Sequence, residues 1–202
     1  MAPSAAILLL GPTGSGKSPL GDTLAERGLH GRRCAHFDFG AQLRAAVSGE
    51  SPAELDEAHI AFLHDVLERG ALLEDEQFHI AETILRAFLD AHPGQLVVLN
   101  GLPRHIGQAR DVDGIVRVEA VVELACSPET VLERIRTNAG GDRSGRTDDT
   151  LDAVRRKLAL YAERTEPLVE HYRAEGAKAV VIEVGTATSA TEAWRALEER
   201  SE

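Results

Sequence analysis

Near its amino terminus the chain carries the sequence Gly11-Pro12-Thr13-Gly14-Ser15-Gly16-Lys17-Ser18, which matches the phosphate-binding P-loop pattern G-x-x-x-x-G-K-[ST]. An apolar run of strand length precedes this stretch at residues 5–10. A helical pattern follows it at residues 20–27 and stops at Gly28. Because the motif requires a strand before it and a helix after it, the stretch predicts a P-loop at the carboxyl end of a buried strand.

The residue types in this loop suit the binding of a nucleoside triphosphate. Glycines let the backbone turn its N–H groups toward a phosphate, and the start of the following helix adds partial positive charge. Lys17 supplies a full charge to the outer phosphates, and the Ser18 hydroxyl is a ligand for Mg²⁺. We therefore expect residues 11–18 to bind ATP and Ser18 to bind the metal.

Composition and charge narrow the class of protein. The chain has 202 residues, of which 43% are hydrophobic and 27% charged, as expected for one globular domain over residues 1–202. Its formal net charge of −11 argues against sequence-independent binding to nucleic acid or to an anionic membrane. The sequence shows neither a transmembrane-length apolar run nor a signal peptide. We expect a cytoplasmic monomer, with Cys34 and Cys126 reduced in buried strands.

Short apolar runs alternate with longer helical patterns along the chain. The predicted strands lie near residues 5–10, 34–38, 95–99, 119–125 and 178–184. The predicted helices lie near residues 17–27, 40–48, 53–69, 75–91, 105–112, 128–138, 150–174 and 189–200. This alternation predicts βαβ units around a mainly parallel sheet, in which ligands bind beyond the carboxyl ends of the strands.

The longest predicted helix, residues 150–174, contains a proline at position 167. Because proline is favoured in the first turn of a helix, we expect Thr165-Glu166-Pro167 to cap a second helix there, with the proline in its first turn. Leu158, Tyr161, Thr165 and Leu168 recur at helical spacing and are expected to pack in the core.

Three segments place arginines just after predicted strands or on the loop before a helix. They are Phe37-Asp38-Phe39-Gly40-Ala41-Gln42-Leu43-Arg44, Asn100-Gly101-Leu102-Pro103-Arg104, and Ser144-Gly145-Arg146-Thr147-Asp148-Asp149 with Arg155, Arg156 and Lys157 on the helix that follows. Arginine pairs with phosphate oxygens through parallel N–H bonds, and phosphoryl transfer requires such charge around the moving group. Together with the P-loop, these segments predict a site for phosphoryl transfer.

In this order the motifs resemble those of adenylate kinases and related nucleoside monophosphate kinases. The motifs are GPTGSGK at 11–17, the turn at 40–44, GALLEDE at 70–76, NGLPRHIGQA at 100–109, SGRTDD at 144–149 and the run from Tyr161 to Leu168. NGLPR followed by Gln108 is similar to the family signature DGFPR…Q. The resemblance implies a three-layer α/β/α P-loop fold with a five-stranded parallel sheet in the order 2-3-1-4-5. It also implies a monophosphate-binding segment near 39–78 and a short lid near 137–147.

The resemblance further implies roles for individual residues. Lys17 would bridge the phosphates of ATP, Arg44 and Arg104 would clamp the acceptor phosphate, and Gln108 would hydrogen-bond the acceptor base. Arg134 would stack on the adenine of ATP. The other implied contacts are Gly185 and Ala187 for the ATP base, Phe39, Gly40 and Gly101 for the acceptor, and Arg143, Arg146 and Lys157 for the transferring phosphate.

Several positions depart from the family's pattern. They are Asn100 in place of the aspartate that organises Mg²⁺, Phe39 in place of threonine or serine, Ala41 in place of aspartate, Asn138 and Lys157 in place of arginine, and Pro19 in place of a hydroxyl residue. Asn100 offers the ion a carbonyl dipole, which is a weaker ligand than a carboxylate. Asp38 ends the adjacent predicted strand, and two roles stay open for it: binding Mg²⁺ through water, or capping the helix near Gly40.

The sequence favours Mg-ATP-dependent phosphorylation of a nucleoside monophosphate, with AMP as the expected acceptor. One alternative is a P-loop kinase for another small metabolite, which Asp38 and the altered acceptor pocket would suit. The other is an ATP-binding module without catalytic activity, which Asn100 and Asn138 would suit. The three hypotheses differ in whether turnover depends on an acceptor, and on which one.

Overall fold

The computed structural model describes residues 3–71, 73–142 and 150–200. The strands in these ranges are β1 (Ser4–Leu10), β2 (Cys34–Asp38), β3 (Leu96–Asn100), β4 (Val116–Ala125) and β5 (Lys178–Glu183). The α-helices are α1 (Lys17–Arg27), α2 (Phe39–Val47), α3 (Glu57–Arg69), α4 (Phe78–Ala91), α5 (Ile106–Asp113), α6 (Pro128–Thr137), α7 (Leu151–Leu160), α8 (Leu168–Ala174) and α9 (Ala190–Arg200). A 3₁₀-helix (Asp75–Gln77) precedes α4, and a π-helix (Tyr161–Thr165) follows α7.

The five strands form one parallel sheet in the order β2-β3-β1-β4-β5. The predicted α/β class and strand order are therefore confirmed. In the central strand β1, Leu8 is in register with Leu99 of β3 and Val121 of β4. Because all strands run in the same direction, their carboxyl ends meet at one edge, where the segments after β1, β2 and β3 lie side by side.

Apolar side chains fill both faces of the sheet. Leu8 and Leu10 of β1 belong to one buried cluster, and Ile7 and Leu9 belong to a second cluster that includes Leu20 of α1. A strand that is covered on both faces has no polar alternation, which is why the central strands appear in the sequence as continuous apolar runs.

Two helical predictions differ from the structure. The helix predicted from residue 53 begins at Glu57, because the Asp56 carboxylate accepts the His59 N–H and caps the helix there. The helix predicted over 150–174 is interrupted by the π-helix, and α8 begins directly after Pro167. The N-cap of α8 is Pro167, within the predicted capping segment Thr165-Glu166-Pro167, so the proline precedes the first turn of the helix instead of lying in it. Within the ranges that the structure describes, no side chain caps this helix, and the Thr165 hydroxyl donates to the backbone oxygen of Arg104.

The fourth strand and the second cysteine also differ from expectation. β4 begins at Val116, three residues before the predicted start at 119. Cys126 lies just after β4 and is only half-buried, so its predicted place in a buried strand was wrong, whereas Cys34 is buried in β2. Both cysteines are free thiols.

The two smaller predicted segments are covered unequally. The monophosphate-binding segment 39–78 contains α2, α3 and the 3₁₀-helix, and residue 72 within it is outside the described ranges. In the predicted lid 137–147, residues 137–142 are described, and Arg143 and Arg146 lie outside the described residues. The single domain over 1–202 stays a prediction. Every helix in the described ranges is too short or too polar to cross a membrane.

Candidate active site

Residues 11–16 form a loop between β1 and α1 whose three glycines all have a positive φ, as the first and the last of them illustrate. Gly11 has a φ of +146°, and a Cβ there would lie 2.8 Å from the backbone oxygen of Leu124. Gly16 has a φ of +99° and directly precedes Lys17, the first residue of α1. The helix therefore starts at the loop, and its first N–H groups are available to an anion bound there.

Lys17 is held over the loop that precedes it. Its Nζ donates to the backbone oxygens of Gly11, at 2.7 Å, and Pro12, at 2.8 Å. The side chain also lines the large cavity at the carboxyl edge of the sheet. Its charge therefore lies where the loop opens into this cavity.

Three polar side chains meet beside the P-loop, at the ends of α1, β2 and β3. The Ser18 hydroxyl donates to Asp38 Oδ2 at 2.6 Å, and Asn100 Nδ2 donates to the same oxygen at 3.0 Å. Asp38 Oδ1 accepts the Ala41 N–H at 3.0 Å and so caps α2. Burial alone would raise the pKa of Asp38, but the hydrogen bonds from Ser18 and Ala41, with a smaller contribution from the charge of Arg44, lower it. Asp38 is therefore a partly buried carboxylate whose negative charge is stabilised by hydrogen bonds from the protein.

The orientation of Asn100 differs from the sequence expectation. Its amide nitrogen, rather than its carbonyl oxygen, faces Asp38 and Ser18, because a carboxylate can only accept hydrogen bonds. The sequence predicts that the Asn100 carbonyl is a weak metal ligand. In this orientation the amide nitrogen lies toward Asp38 and Ser18 in its place. The cap expected of Asp38 is present, and its second oxygen remains beside Ser18.

Arg104 also lines the cavity and lies four residues after the end of β3. Its Nε donates to the backbone oxygen of Gly101 at 3.0 Å, and its own backbone oxygen accepts the Thr165 hydroxyl at 2.8 Å. Burial lowers the pKa of Arg104, and the Asp38 carboxylate opposes that effect. Arg44, on the last turn of α2, also lines this cavity. The two arginines thus line the same cavity as Lys17.

Gln108 is 1% exposed and binds backbone groups through both ends of its amide. Its Nε2 donates to the backbone oxygen of Leu73 at 2.8 Å, and its Oε1 accepts the Arg104 N–H at 2.8 Å. His105, which caps α5, also contacts Leu73 O through Nε2. Gln108 reaches the cavity wall, so an acceptor base that binds its amide would exchange with one of these backbone partners. Recognition of the base by Gln108 stays a prediction.

Arg134 is 3% exposed and connects the P-loop to the loop that follows β5. Its Nε donates to Gly14 O at 3.0 Å, and one terminal nitrogen donates to Gly185 O at 2.8 Å and Thr188 O at 2.9 Å. Gly185 and Ala187 line a separate, shallow pocket beside α9. The guanidinium thus fixes the loop near the predicted base site, while its stacking on adenine stays a prediction.

Most of the predicted site residues converge on one cavity of about 270 Å³. Those that line it are Gly11, Thr13, Gly14, Gly16, Lys17, Ser18, Asp38, Phe39, Gly40, Arg44, Asn100, Gly101, Arg104, Gln108 and Lys157. Among the described candidates, those that do not line it are Pro12, Ser15, Arg134, Gly185 and Ala187. The sheet edge therefore brings the P-loop and the arginine segments after β2 and β3 to a common space.

Two lining residues were expected to pack in the core. Tyr161 and Thr165, both on the π-helix, face the cavity, whereas Leu168 is fully buried. The Tyr161 hydroxyl is buried without a hydrogen-bond partner in the described part of the chain, and burial raises its pKa. A π-helix shifts the side-chain period by one residue, so an α-helical count places these residues on the wrong face. Such short π-helices occur often at functional sites.

The backbone conformation at position 138 explains why asparagine is found there. It ends α6 in the left-handed region, with a φ of +49°. Asparagine tolerates this conformation better than most side chains, including arginine. The departure at this position therefore suits the turn that leads into the predicted lid.

Comparison with known proteins agrees with this arrangement. The family model described as adenylate kinase matches residues 9–177. The adenylate kinase of Synechococcus sp. (strain CC9311) is 36% identical over 175 residues, which is 84% of this chain and 85% of that protein. Those of Xanthomonas campestris pv. campestris (strain 8004) and Stenotrophomonas maltophilia (strain R551-3) are each 34% identical over 190 residues, covering 89% of this chain and 91% of each relative. The chain therefore belongs to the adenylate kinase family and is a nucleoside monophosphate kinase, a phosphotransferase.

Proposed function

We propose that the cavity at the carboxyl edge of the sheet transfers the terminal phosphoryl group of Mg-ATP to AMP, giving two molecules of ADP. The observation that carries this proposal is that Lys17 of the P-loop and the arginines of two other segments, Arg44 and Arg104, line one cavity. Phosphoryl transfer needs two phosphate groups aligned and their charge neutralised, and this arrangement supplies cations to both.

The donor phosphates belong at the P-loop. The loop offers backbone N–H groups and the start of α1, and the Lys17 ammonium is already held at its mouth by two carbonyl oxygens. The acceptor phosphate belongs at Arg44 and Arg104. Hydrogen bonds hold Arg104 at its Nε, its backbone N–H and its backbone oxygen, so the side chain loses little conformational freedom when a phosphate binds.

Asp38 and Ser18 fit the Mg²⁺ ion that accompanies ATP. Mg²⁺ is bound in such sites by one or two carboxylates together with waters and substrate phosphates. Asp38 supplies one carboxylate whose lowered pKa keeps it charged. The Ser18 hydroxyl donates a hydrogen bond to Asp38 and accepts one from Asn100, which leaves one oxygen lone pair for the ion. When bound, the ion neutralises charge on the phosphates of ATP. The carboxylate that the family carries after the third strand is thus replaced by one after the second.

A second acceptor class is favoured by Phe39. Its ring is 4% exposed, stacks on Phe37 with 6.0 Å between the ring centroids, and forms part of the cavity wall. An apolar ring offers a base no hydrogen bond, so discrimination among bases rests on backbone groups and Gln108. This leaves room for a nucleoside monophosphate other than AMP or another small phosphorylated acceptor.

The test is a coupled assay of ADP release with ATP and, in turn, AMP, CMP, UMP, GMP, dTMP and shikimate-like metabolites. We expect AMP to give the highest kcat/KM. A higher value with another acceptor would replace AMP in the proposal, and ADP release that is independent of every acceptor would contradict it. Cytoplasmic location and a monomeric state stay predictions from the sequence, and size-exclusion chromatography of the purified chain tests the latter.

A further inference from the structure

A buried hydrogen-bonded line leads from the surface to the Ser18–Asp38 pair. His36 lies on β2 with a side chain that is 7% exposed, and its Nδ1 is 2.8 Å from Oδ1 of the exposed Asp22 on α1. Its Nε2 is 3.4 Å from Nδ2 of Asn100, which in turn contacts Ser18 and Asp38. The line therefore runs Asp22, His36, Asn100 and then the pair.

The hydrogen-bond partners of the two ring nitrogens of His36 determine which nitrogen carries the proton. A carboxylate only accepts hydrogen bonds, so His36 Nδ1 carries the proton that Asp22 accepts. Nε2 faces the amide nitrogen of Asn100, which can only donate, so the geometry assigns Nε2 as the acceptor. If the Asn100 amide were flipped, its carbonyl oxygen would face two other acceptors, His36 Nε2 and the Asp38 carboxylate, and would lose its hydrogen bonds.

The helix that faces His36 makes room for its ring. Gly21 lies within α1, where glycine is one of the least favourable residues. A Cβ at this position would lie 2.2 Å from His36 Nε2 and 2.3 Å from its Cδ2. Any larger residue at position 21 would displace the imidazole, so the glycine and the histidine form one packed unit.

We propose that His36 is a positioning residue for the metal site: through its Nε2 it holds Asn100 with Nδ2 toward Asp38, and so keeps Asp38 and Ser18 in place for the ion. This inference rests on the metal role given to Asp38 above. His36 touches neither substrate nor metal in this account, and its effect passes through Asn100. Asn100, which is 4% exposed, is then an orienting donor and not a ligand.

Four variants test this inference by Mn²⁺ binding, read from the electron paramagnetic resonance of free Mn²⁺ in the presence of a saturating non-hydrolysable ATP analogue. His36→Asn keeps a donor near Asp22 and loses the acceptor near Asn100. His36→Gln places an amide oxygen near the position of Nε2. Gly21→Ala displaces the ring without changing it. Asn100→Ala removes the group through which His36 is held to act.

We expect about fivefold weaker Mn²⁺ binding in His36→Asn and in Gly21→Ala, the effect of one hydrogen bond, and affinity within about twofold of the parent in His36→Gln. In the Asn100→Ala background, His36→Asn should have no further effect. Three results would each overturn the proposal. One is an equal loss of Mn²⁺ affinity in His36→Asn and His36→Gln, and another is unchanged affinity in His36→Asn. The third is a full loss of affinity from His36→Asn in the Asn100→Ala background. Melting curves identify any variant that fails to fold, and the remaining variants then decide.

The experiment separates this inference from the function on which it rests. Mn²⁺ binding with an ATP analogue requires no acceptor, so it is measurable even if AMP proves not to be the substrate. Asp38→Asn is titrated alongside the other variants. Unchanged Mn²⁺ affinity in Asp38→Asn would overturn the metal role of Asp38 and this inference with it, while AMP turnover is decided by the coupled assay alone.

Discussion

The Thr165 hydroxyl donates a hydrogen bond to the backbone oxygen of Arg104, with 2.8 Å between the two oxygens. Thr165 ends the π-helix, and Arg104 follows β3 and lines the cavity. The bond joins the helical region after the predicted lid to the arginine that we assign to the acceptor. It gives this threonine a specific task that its helical spacing in the sequence does not reveal.

Thr165→Val should weaken the binding of the acceptor without affecting the binding of ATP. Valine has the same shape but lacks the hydroxyl, so the backbone oxygen of Arg104 loses the hydrogen bond that it accepts from Thr165. We expect the KM for AMP to rise about fivefold, the effect of one net hydrogen bond, while the KM for ATP stays within error. Thr165→Ser keeps the hydroxyl and serves as the matched control. Equal increases in both KM values would show that the bond does not act on the acceptor side.

Two substitutions at Asp38 separate its two roles. Asparagine is as good a helix cap as aspartate but lacks the charge, whereas alanine loses both functions. Asp38→Asn should therefore keep the melting temperature near the parent value and raise the Mg²⁺ concentration for half-maximal rate about tenfold. Asp38→Ala should add a loss of about 1 kcal/mol in the free energy of unfolding. A Mg²⁺ dependence that is unchanged in both variants would leave Asp38 with the cap alone.

Arg164 and Glu74 form a two-pronged ion pair, at 2.7 and 2.8 Å, whose contribution depends on pH. The hydrogen bonds from Arg164 lower the pKa of Glu74, so the pair stabilises the fold above the unfolded-state pKa of about 4.3. This contribution is lost as pH falls through the folded-state pKa. Arg164→Gln should cost at most about 1 kcal/mol near neutral pH, because solvent screens an exposed pair. Urea titrations should show the difference shrinking as the pH falls below the unfolded-state pKa of about 4.3; a difference constant with pH would contradict the assignment.

Arg134 should matter for stability apart from any role in ATP binding. Arg134→Met removes the donors of three backbone oxygens at 2.8, 2.9 and 3.0 Å. We expect a loss of about 2–4 kcal/mol in the free energy of unfolding, measured with urea in the absence of nucleotide. Arg136→Met on the same helix is the matched control, since that side chain is exposed and pairs only with Glu133 among the described residues. Equal losses in the two variants would contradict the role of the buried guanidinium.

The sheet and its edge could be predicted from the sequence because their cause is local. The P-loop pattern fixes β1 and α1, and the continuous apolar runs identify strands that are covered on both faces. Parallel strands bring their carboxyl ends together, so Asp38, Asn100 and Arg104 could be placed at one edge without coordinates. The resemblance to a family then supplied the strand order.

The rest of the site depends on contacts between distant segments. The burial of Arg134 against Gly185 and Thr188 follows from the approach of α6 to the loop after β5, which no local pattern reports. The same holds for the line from Asp22 through His36 to Asn100. The π-helix changes the helical period by one residue, which is why Tyr161 and Thr165 were assigned to the core.

The most direct test of the account is the fate of a label in the terminal phosphate of ATP when AMP is present. We predict that each turnover gives one labelled and one unlabelled ADP, because the label moves to AMP. Lys17→Ala should lower the rate at least a hundredfold, a loss of about 3–5 kcal/mol of transition-state stabilisation, with an unchanged melting temperature. Label that appears as inorganic phosphate, or transfer that Lys17→Ala leaves intact, would contradict the assignment of this cavity as the site of phosphoryl transfer.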